Sequence, residues 1–154
     1  DSISAGYGIT RELSFPSVMQ RMLDVEKRRW RVVNQGISGN TTSDGVSRMQ
    51  SAVRLKPSVV LIELGGNDGL RGLPVETTRS NLEQIIVALQ RTGAKVVLAG
   101  MTLPPNYGPE YIRSFERVFV DLSNKYSTPR IPFFLEDVAT RRARRRRRSR
   151  ERLG

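Results

Sequence analysis

Residues Ser58 to Leu64 form a short, nearly continuous apolar run, β-branched at its start, that stops abruptly at Gly65-Gly66-Asn67-Asp68-Gly69. Such a run reads as a strand buried on both faces, the pattern of a parallel sheet. An apolar strand followed by glycines and then by polar side chains is how open α/β sheets present chemistry, on loops at the carboxyl ends of strands. The glycines permit positive φ and close approach of backbone to a ligand. Asn67 offers an uncharged NH2 donor, which suits an oxygen that becomes negative during a reaction. The bland alternative is a turn after a strand, capped by Asn67.

The rest of the chain alternates in the same way. Ser14 can cap a helix from about Phe15 to Arg29, with Pro16 tolerated in its first turn. Trp30 to Asn34 reads as a strand, Gly36 to Thr42 as a polar loop, and the next helix runs to about Leu55 with Val46, Met49 and Val53 inward. After the Ser58–Leu64 strand, Pro74 suits an early helical position, and Thr78, Leu82, Ile85, Ile86 and Leu89 make an apolar stripe that Gly93 ends. Lys95 to Ala99 is another buried strand, and Thr102 to Gly108 a proline-stiffened loop. A stripe of Tyr111, Phe115, Val118, Phe119 and Leu122 then precedes a short last strand, Ile131 to Phe134. Alternation of this kind means βαβ units and a parallel sheet. Three polar loops, Asp1–Gly8, the one after Asn34 and the one after Leu64, each follow a strand position, the first taking its strand before Asp1. They are expected to gather at one edge of the sheet.

Composition removes several chemistries. The chain has no cysteine and no histidine, which excludes a disulfide framework and thiol catalysis, argues against a zinc site, and takes away the usual general base. No metal or other cofactor is expected. No apolar stretch approaches the ~20 residues that span a bilayer, and no signal peptide is visible. The net charge of +11 is concentrated at one end: residues 140–154 hold nine Arg and one Glu, whereas residues 1–139 are only mildly basic.

Together these motifs resemble those of the GDSL, or SGNH, hydrolases. Asp1-Ser2-Ile3-Ser4-Ala5-Gly6-Tyr7-Gly8 is similar to the family's first block without its leading Gly, Gly36-Ile37-Ser38-Gly39-Asn40-Thr41-Thr42 to the second, and Gly65-Gly66-Asn67-Asp68-Gly69-Leu70-Arg71-Gly72 to the third. Leu103-Pro104-Pro105-Asn106-Tyr107-Gly108 and Pro132-Phe133-Phe134-Leu135 resemble the arylesterase and thioesterase I/lysophospholipase L1 branch. The resemblance runs through about residue 139. It implies a three-layer α/β/α domain with a mostly parallel, flavodoxin-like central sheet, over residues 1–139, with the first strand and the C-terminal catalytic segment missing. It also implies a serine esterase or thioesterase acting on small acyl esters, expected as a monomer. Ser2 would be the nucleophile. Its own N–H, the N–H of Gly39 and the amide of Asn67 would form the oxyanion hole, where each fixed donor lowers the barrier by roughly 2.7–4 kcal/mol. Leu70, Leu73, Pro105, Asn106 and Tyr107 would wall the acyl pocket; the alternative for each is a rigid connection. Asp1 is expected to be a structural carboxylate that bonds nearby loop amides. Relatives are often exported, so a periplasmic or secreted location is what the resemblance suggests; the sequence itself leaves location open.

The chain departs from the family at its C-terminal end. The family's D-x-x-H block, whose His is the general base and whose Asp orients it, has no match here, and Asp137 lies upstream of where that block falls. A serine without its base retains only ~10³–10⁴-fold catalysis over water, so weak turnover or none is expected of this sequence. Residues 140–154 are expected to be a disordered tail, because like charges repel and little can be buried. They read either as an arm for nucleic acid or anionic membrane, binding by counterion release, or as the product of a shifted reading frame. The competing functional class is therefore a non-catalytic α/β scaffold that displays a polybasic arm.

Overall fold

The computed structural model describes residues 1–133 and 135. Its centre is a three-stranded parallel sheet in the order β1-β2-β3, with β1 at Val59–Ile62, β2 at Lys95–Ala99 and β3 at Arg130–Ile131. Val59 pairs with Lys95 and Ile62 with Leu98 along β1 and β2, and Leu98 with Arg130 along β2 and β3. The helices are α1 (Ser2–Ala5), α2 (Phe15–Val25), α3 (Thr42–Arg54), α4 (Gly66–Leu70), α5 (Val75–Gln90) and α6 (Pro109–Tyr126). Parallel neighbours need long crossovers; α5 supplies the one from β1 to β2 and α6 the one from β2 to β3.

The stripes read from the sequence are the core. Thr78, Leu82, Ile85, Ile86 and Leu89 of α5 and Phe115, Val118, Phe119 and Leu122 of α6 are all buried. They pack on Val60, Ile62, Val96 and Leu98, the alternate residues of β1 and β2 that share one sheet face. Val46, Met49 and Val53 of α3 complete this layer.

The structure corrects five local expectations. Trp30–Asn34 forms no strand: no strand among the described residues offers it a ladder, and its backbone bonds to the Gln20 side chain instead, Val32 N–H donating at 2.6 Å and the Trp30 carbonyl accepting at 2.9 Å. The β1 run is not buried on both faces. Val59 is 45% exposed and Leu61 half-buried, because the described helices that make the core pack on the opposite face. The first helix ends at Val25, four residues early. Lys27 turns into the left-handed region at φ 55°, and its N–H and that of Arg28 donate back to Asp24 and Leu23, which closes the helix without a glycine. Ser14 sits at the cap position but does not cap with its side chain; its hydroxyl donates to the Arg11 carbonyl at 2.7 Å. The last strand is Arg130–Ile131, which shares only Ile131 with the expected span of Ile131 to Phe134; Phe134 lies outside the described residues. Among the described residues, no helix is long and apolar enough to cross a membrane.

Candidate active site

The segment Glu63 to Asp68, which leaves the carboxyl end of β1, is the hub on which two other loops are fastened. Gly65 takes φ 112°, open only to glycine without strain, and turns the chain directly into α4. Here the sequence reading of a plain loop is corrected: Asn67 stands in the first turn of a short helix.

Asp1–Gly8, also read as a loop, begins as the helical turn α1. Asp1 caps it, its Oδ1 accepting from Ile3 N–H at 2.9 Å, which is the structural task expected of that carboxylate. The turn is fixed to the hub by Glu63. Its Oε2 accepts from the Asp1 nitrogen at 3.1 Å, from Ser4 N–H at 3.2 Å and from the Ser4 hydroxyl at 2.7 Å. Both Asp1 and Glu63 are buried. Ser2, half-buried, lies between the two anchored residues, and its hydroxyl has no hydrogen-bond partner among the described residues.

The second loop touches both others. Asn34 Nδ2 donates to the Ser4 carbonyl at 2.7 Å. Gly36 lies so close to α1 that a Cβ there would stand 2.6 Å from Ala5 N. Gly39 takes φ 80°, and its carbonyl accepts from Arg71 at 3.0 Å. The next carbonyl, of Asn40, accepts from Asn67 Nδ2 at 2.9 Å. Asp68 then holds the start of α3: its carboxylate accepts from Thr42 N–H at 2.9 Å and from the Thr42 hydroxyl at 2.5 Å. Ser2, Gly39 and Asn67 are thus carried on three segments bonded to one another.

The donors left over matter chemically. Among the described residues the N–H groups of Ser2 and Gly39 have no acceptor. Asn67 has two amide hydrogens and spends one on Asn40. The buried Asn40 Oδ1 and Glu63 Oε1 are also without partners. No base is bonded to Ser2 among the described residues, and Asp137 lies outside them.

Of the expected pocket walls, the structure joins three. Tyr107 is half-buried and donates from its hydroxyl to the Leu70 carbonyl at 2.6 Å. Tyr111, which the sequence placed only in the helical stripe, does the same to Leu73 at 2.7 Å. Burial and the nearby Asp68 charge push the Tyr111 hydroxyl above its ordinary pKa. Pro105 and Asn106 are exposed, and among the described residues no side-chain hydrogen bond ties Asn106 to the site. A separate groove of about 770 Å³ lies between α5 and α6, lined by Glu76, Arg79, Arg113 and Arg117 among others. It contains none of Ser2, Gly39 or Asn67. Its walls are charged, with Arg79 paired to Asp121 at 3.1 Å, which does not suit an acyl chain.

The GDSL-like lipase/acylhydrolase family matches the chain over residues 1–151. The chain belongs to that family. Esterase TesA of Pseudomonas aeruginosa is 43% identical over 139 residues, 90% of this chain and 69% of that protein. The arylesterase of Vibrio mimicus is 40% identical over 142 residues, 92% of this chain and 71% of that protein. Thioesterase 1/protease 1/lysophospholipase L1 of Escherichia coli K12 is 36% identical over 139 residues, 90% of this chain and 65% of that protein. Among solved structures, AlinE4, an esterase of the SGNH-hydrolase family, superposes with a TM-score of 0.85 at 39% identity, over 90% of this chain and 75% of that one. This GDSL-family chain is thus a member of a group of ester hydrolases. Its three-stranded parallel sheet with flanking helices is their α/β fold, and it spans roughly two thirds of the curated relatives' length.

Proposed function

We propose that this chain carries the nucleophile half of a serine esterase or thioesterase site. Ser2 Oγ attacks the carbonyl carbon of an acyl ester. The carbonyl oxygen, now negative, accepts from the N–H of Ser2, the N–H of Gly39 and Nδ2 of Asn67. The tetrahedral intermediate collapses and leaves the acyl group on Ser2, the leaving oxygen or sulfur departing as alcohol or thiol with the proton that Ser2 gives up through solvent; water then attacks the acyl-enzyme, releasing the acid and returning a proton to Ser2 Oγ. The observation that supports this reading is that Ser2, Gly39 and Asn67 lie on three mutually bonded segments, and that two backbone N–H groups and one amide hydrogen there are left without acceptors among the described residues. Donors already fixed in place cost no reorganisation when charge develops.

The substrate class is a carboxylic ester: aryl ester, acyl thioester and lysophospholipid are the candidates that the relatives' names suggest. Leu70, Leu73, Pro105, Asn106 and Tyr107 would receive the acyl group. The first step needs a group to take the serine proton, and the chain has no histidine. Turnover by these 154 residues alone is therefore expected to be slow. An ester-hydrolysis assay against Ser2→Ala tests this; fast turnover lost in the variant would disprove the missing-base part, and measurable turnover that is equal in both proteins would disprove the role of Ser2.

The polybasic segment 140–154 supports a second, separate property, binding of nucleic acid or anionic membrane by counterion release. Deleting it should abolish salt-sensitive binding to DNA and leave labelling of Ser2 by a fluorophosphonate unchanged.

A further inference from the structure

We propose that Glu63 is a positioning residue for the Ser2 hydroxyl, an inference that rests on the acyl-transfer reading above. A helix of four residues does not hold itself together, since its nucleus costs more than its few hydrogen bonds return. The geometry of α1 must therefore come from tertiary contacts. Two of them converge on one atom, Glu63 Oε2, which accepts from Ser4 N–H and Ser4 Oγ at 3.2 and 2.7 Å. Ser2 lies in the same turn, two residues before Ser4. Glu63 directly follows Ile62, the last residue of β1, whose pairing with Leu98 fixes its backbone. A rigid line thus runs from the sheet through one carboxylate to the turn that aims the serine.

The carboxylate is not what core packing alone would select. Its side chain is 1% exposed, and Oε1 has no partner among the described residues. A buried oxygen left unpaired is costly, and an apolar side chain at position 63 would avoid that cost. It would also release α1. Gly39 and Asn67 are held by different groups, Arg71, Asn40 and the Asp68–Thr42 pair. Glu63 therefore acts directly on the turn bearing Ser2, and reaches the Gly39 loop only through that turn, where Asn34 bonds the Ser4 carbonyl.

The experiment measures the rate at which a fluorophosphonate labels Ser2 in the full chain, read by intact mass, alongside thermal unfolding, for Glu63→Ala, Glu63→Gln, Ser4→Ala and Ser2→Ala. Ser2→Ala should not label. Glu63→Ala should label about ten- to a hundredfold more slowly, the scale expected of a misplacement near 1 Å. Glu63→Gln, whose amide oxygen can take the place of Oε2, should recover most of that rate. Ser4→Ala should slow labelling, and should add nothing in combination with Glu63→Ala, because both remove the same link. Wild-type labelling in Ser2→Ala would sink the acyl-transfer reading itself. A silent Ser2→Ala together with wild-type labelling in Glu63→Ala would overturn only the role of Glu63, as would equal slowing in the Ala and Gln variants. Should Glu63→Ala not fold, Ser4→Ala decides: slowed labelling supports the proposal, and a wild-type rate overturns it.

Discussion

The Asp68 carboxylate accepts from both the backbone N–H and the hydroxyl of Thr42, at 2.9 and 2.5 Å, across 26 residues of sequence. Thr42 is the first residue of α3, whose opening N–H groups have no partners within the helix. A buried negative charge at that point satisfies one of them and opposes the positive end of the helix dipole. Thr78 and Asn81 of α5 join the same cluster, through Asp68 Oδ1 and the Thr42 hydroxyl respectively. The loop bearing Gly39 is therefore clamped to the helix bearing Asn67. Asp68→Ala should destabilise the chain by about 3 kcal/mol, given two hydrogen bonds to a charged group and two donors left buried. Asp68→Asn should cost about half as much. Urea unfolding with an unchanged m-value would check both.

Gly36→Ala tests the close approach of the second loop to α1. The added Cβ would stand 2.6 Å from Ala5 N and 2.8 Å from the Ser4 carbonyl carbon, both backbone atoms that cannot swing aside as a side-chain tip can. The turn carrying Ser2 must move. A loss of about 1–3 kcal/mol is expected, with fluorophosphonate labelling slowed by more than the loss of folded protein explains. Unchanged labelling in the variant would show that the contact does not bear on Ser2.

The legible part of the fold was the part set by period and burial. Leu82, Ile86, Phe115 and Leu122 repeat at helical spacing and are core residues, and Lys95–Ala99 is a strand at the expected bounds. What the sequence could not reveal was anything that depends on a partner. Trp30–Asn34 has strand composition, yet a strand exists only where a ladder forms. Ser14 has a capping hydroxyl, but Arg11 offers it a carbonyl first. At the site, Asn67 drew attention because glycines and polar residues interrupt an apolar run, whereas Ser2 and Gly39 entered only through the resemblance of their segments to the family's blocks; their roles stay a proposal. Glu63 and Asp68 were not. The first sits inside the apolar run and the second beside Asn67, and only the fold shows that each buried carboxylate reaches a segment 26 or more residues away. An acidic residue within a buried strand end was the available signal.

Asn67→Ala should separate the oxyanion donor from the clamp. Removing the amide takes away one proposed transition-state donor, worth roughly 10²–10³ in rate. It also takes away the bond to the Asn40 carbonyl, worth about 1 kcal/mol of stability. Labelling of Ser2 should therefore fall about a hundredfold while the unfolding midpoint moves only slightly. Asn67→Asp should be as slow or slower, since a negative oxygen would then face the developing charge.

Thr41 and Asp44 give the start of α3 a pH dependence whose direction follows from their geometry. Asp44 Oδ2 accepts from Thr41 N–H at 2.8 Å and from its hydroxyl at 3.0 Å, completing a capping box. Those bonds, the backbone one first, hold the Asp44 carboxyl below its ordinary pKa, with lesser help from Arg71 and Arg48. In the unfolded chain the same carboxyl titrates in the usual range, so between the two values the unfolded state binds the extra proton and stability rises with pH. The contribution is fully present above the ordinary carboxylate range. It fades as pH falls through that range and is gone once the folded carboxyl is itself protonated. The stability gap between the wild-type chain and Asp44→Ala should accordingly be constant near neutrality and shrink steadily in acid. Thr41→Ala should cost about 1 kcal/mol at neutral pH and should narrow that gap, because it removes the hydroxyl bond to Asp44. Urea titrations of the three proteins from neutral pH into acid would measure the effect, and a gap that widened in acid would contradict it.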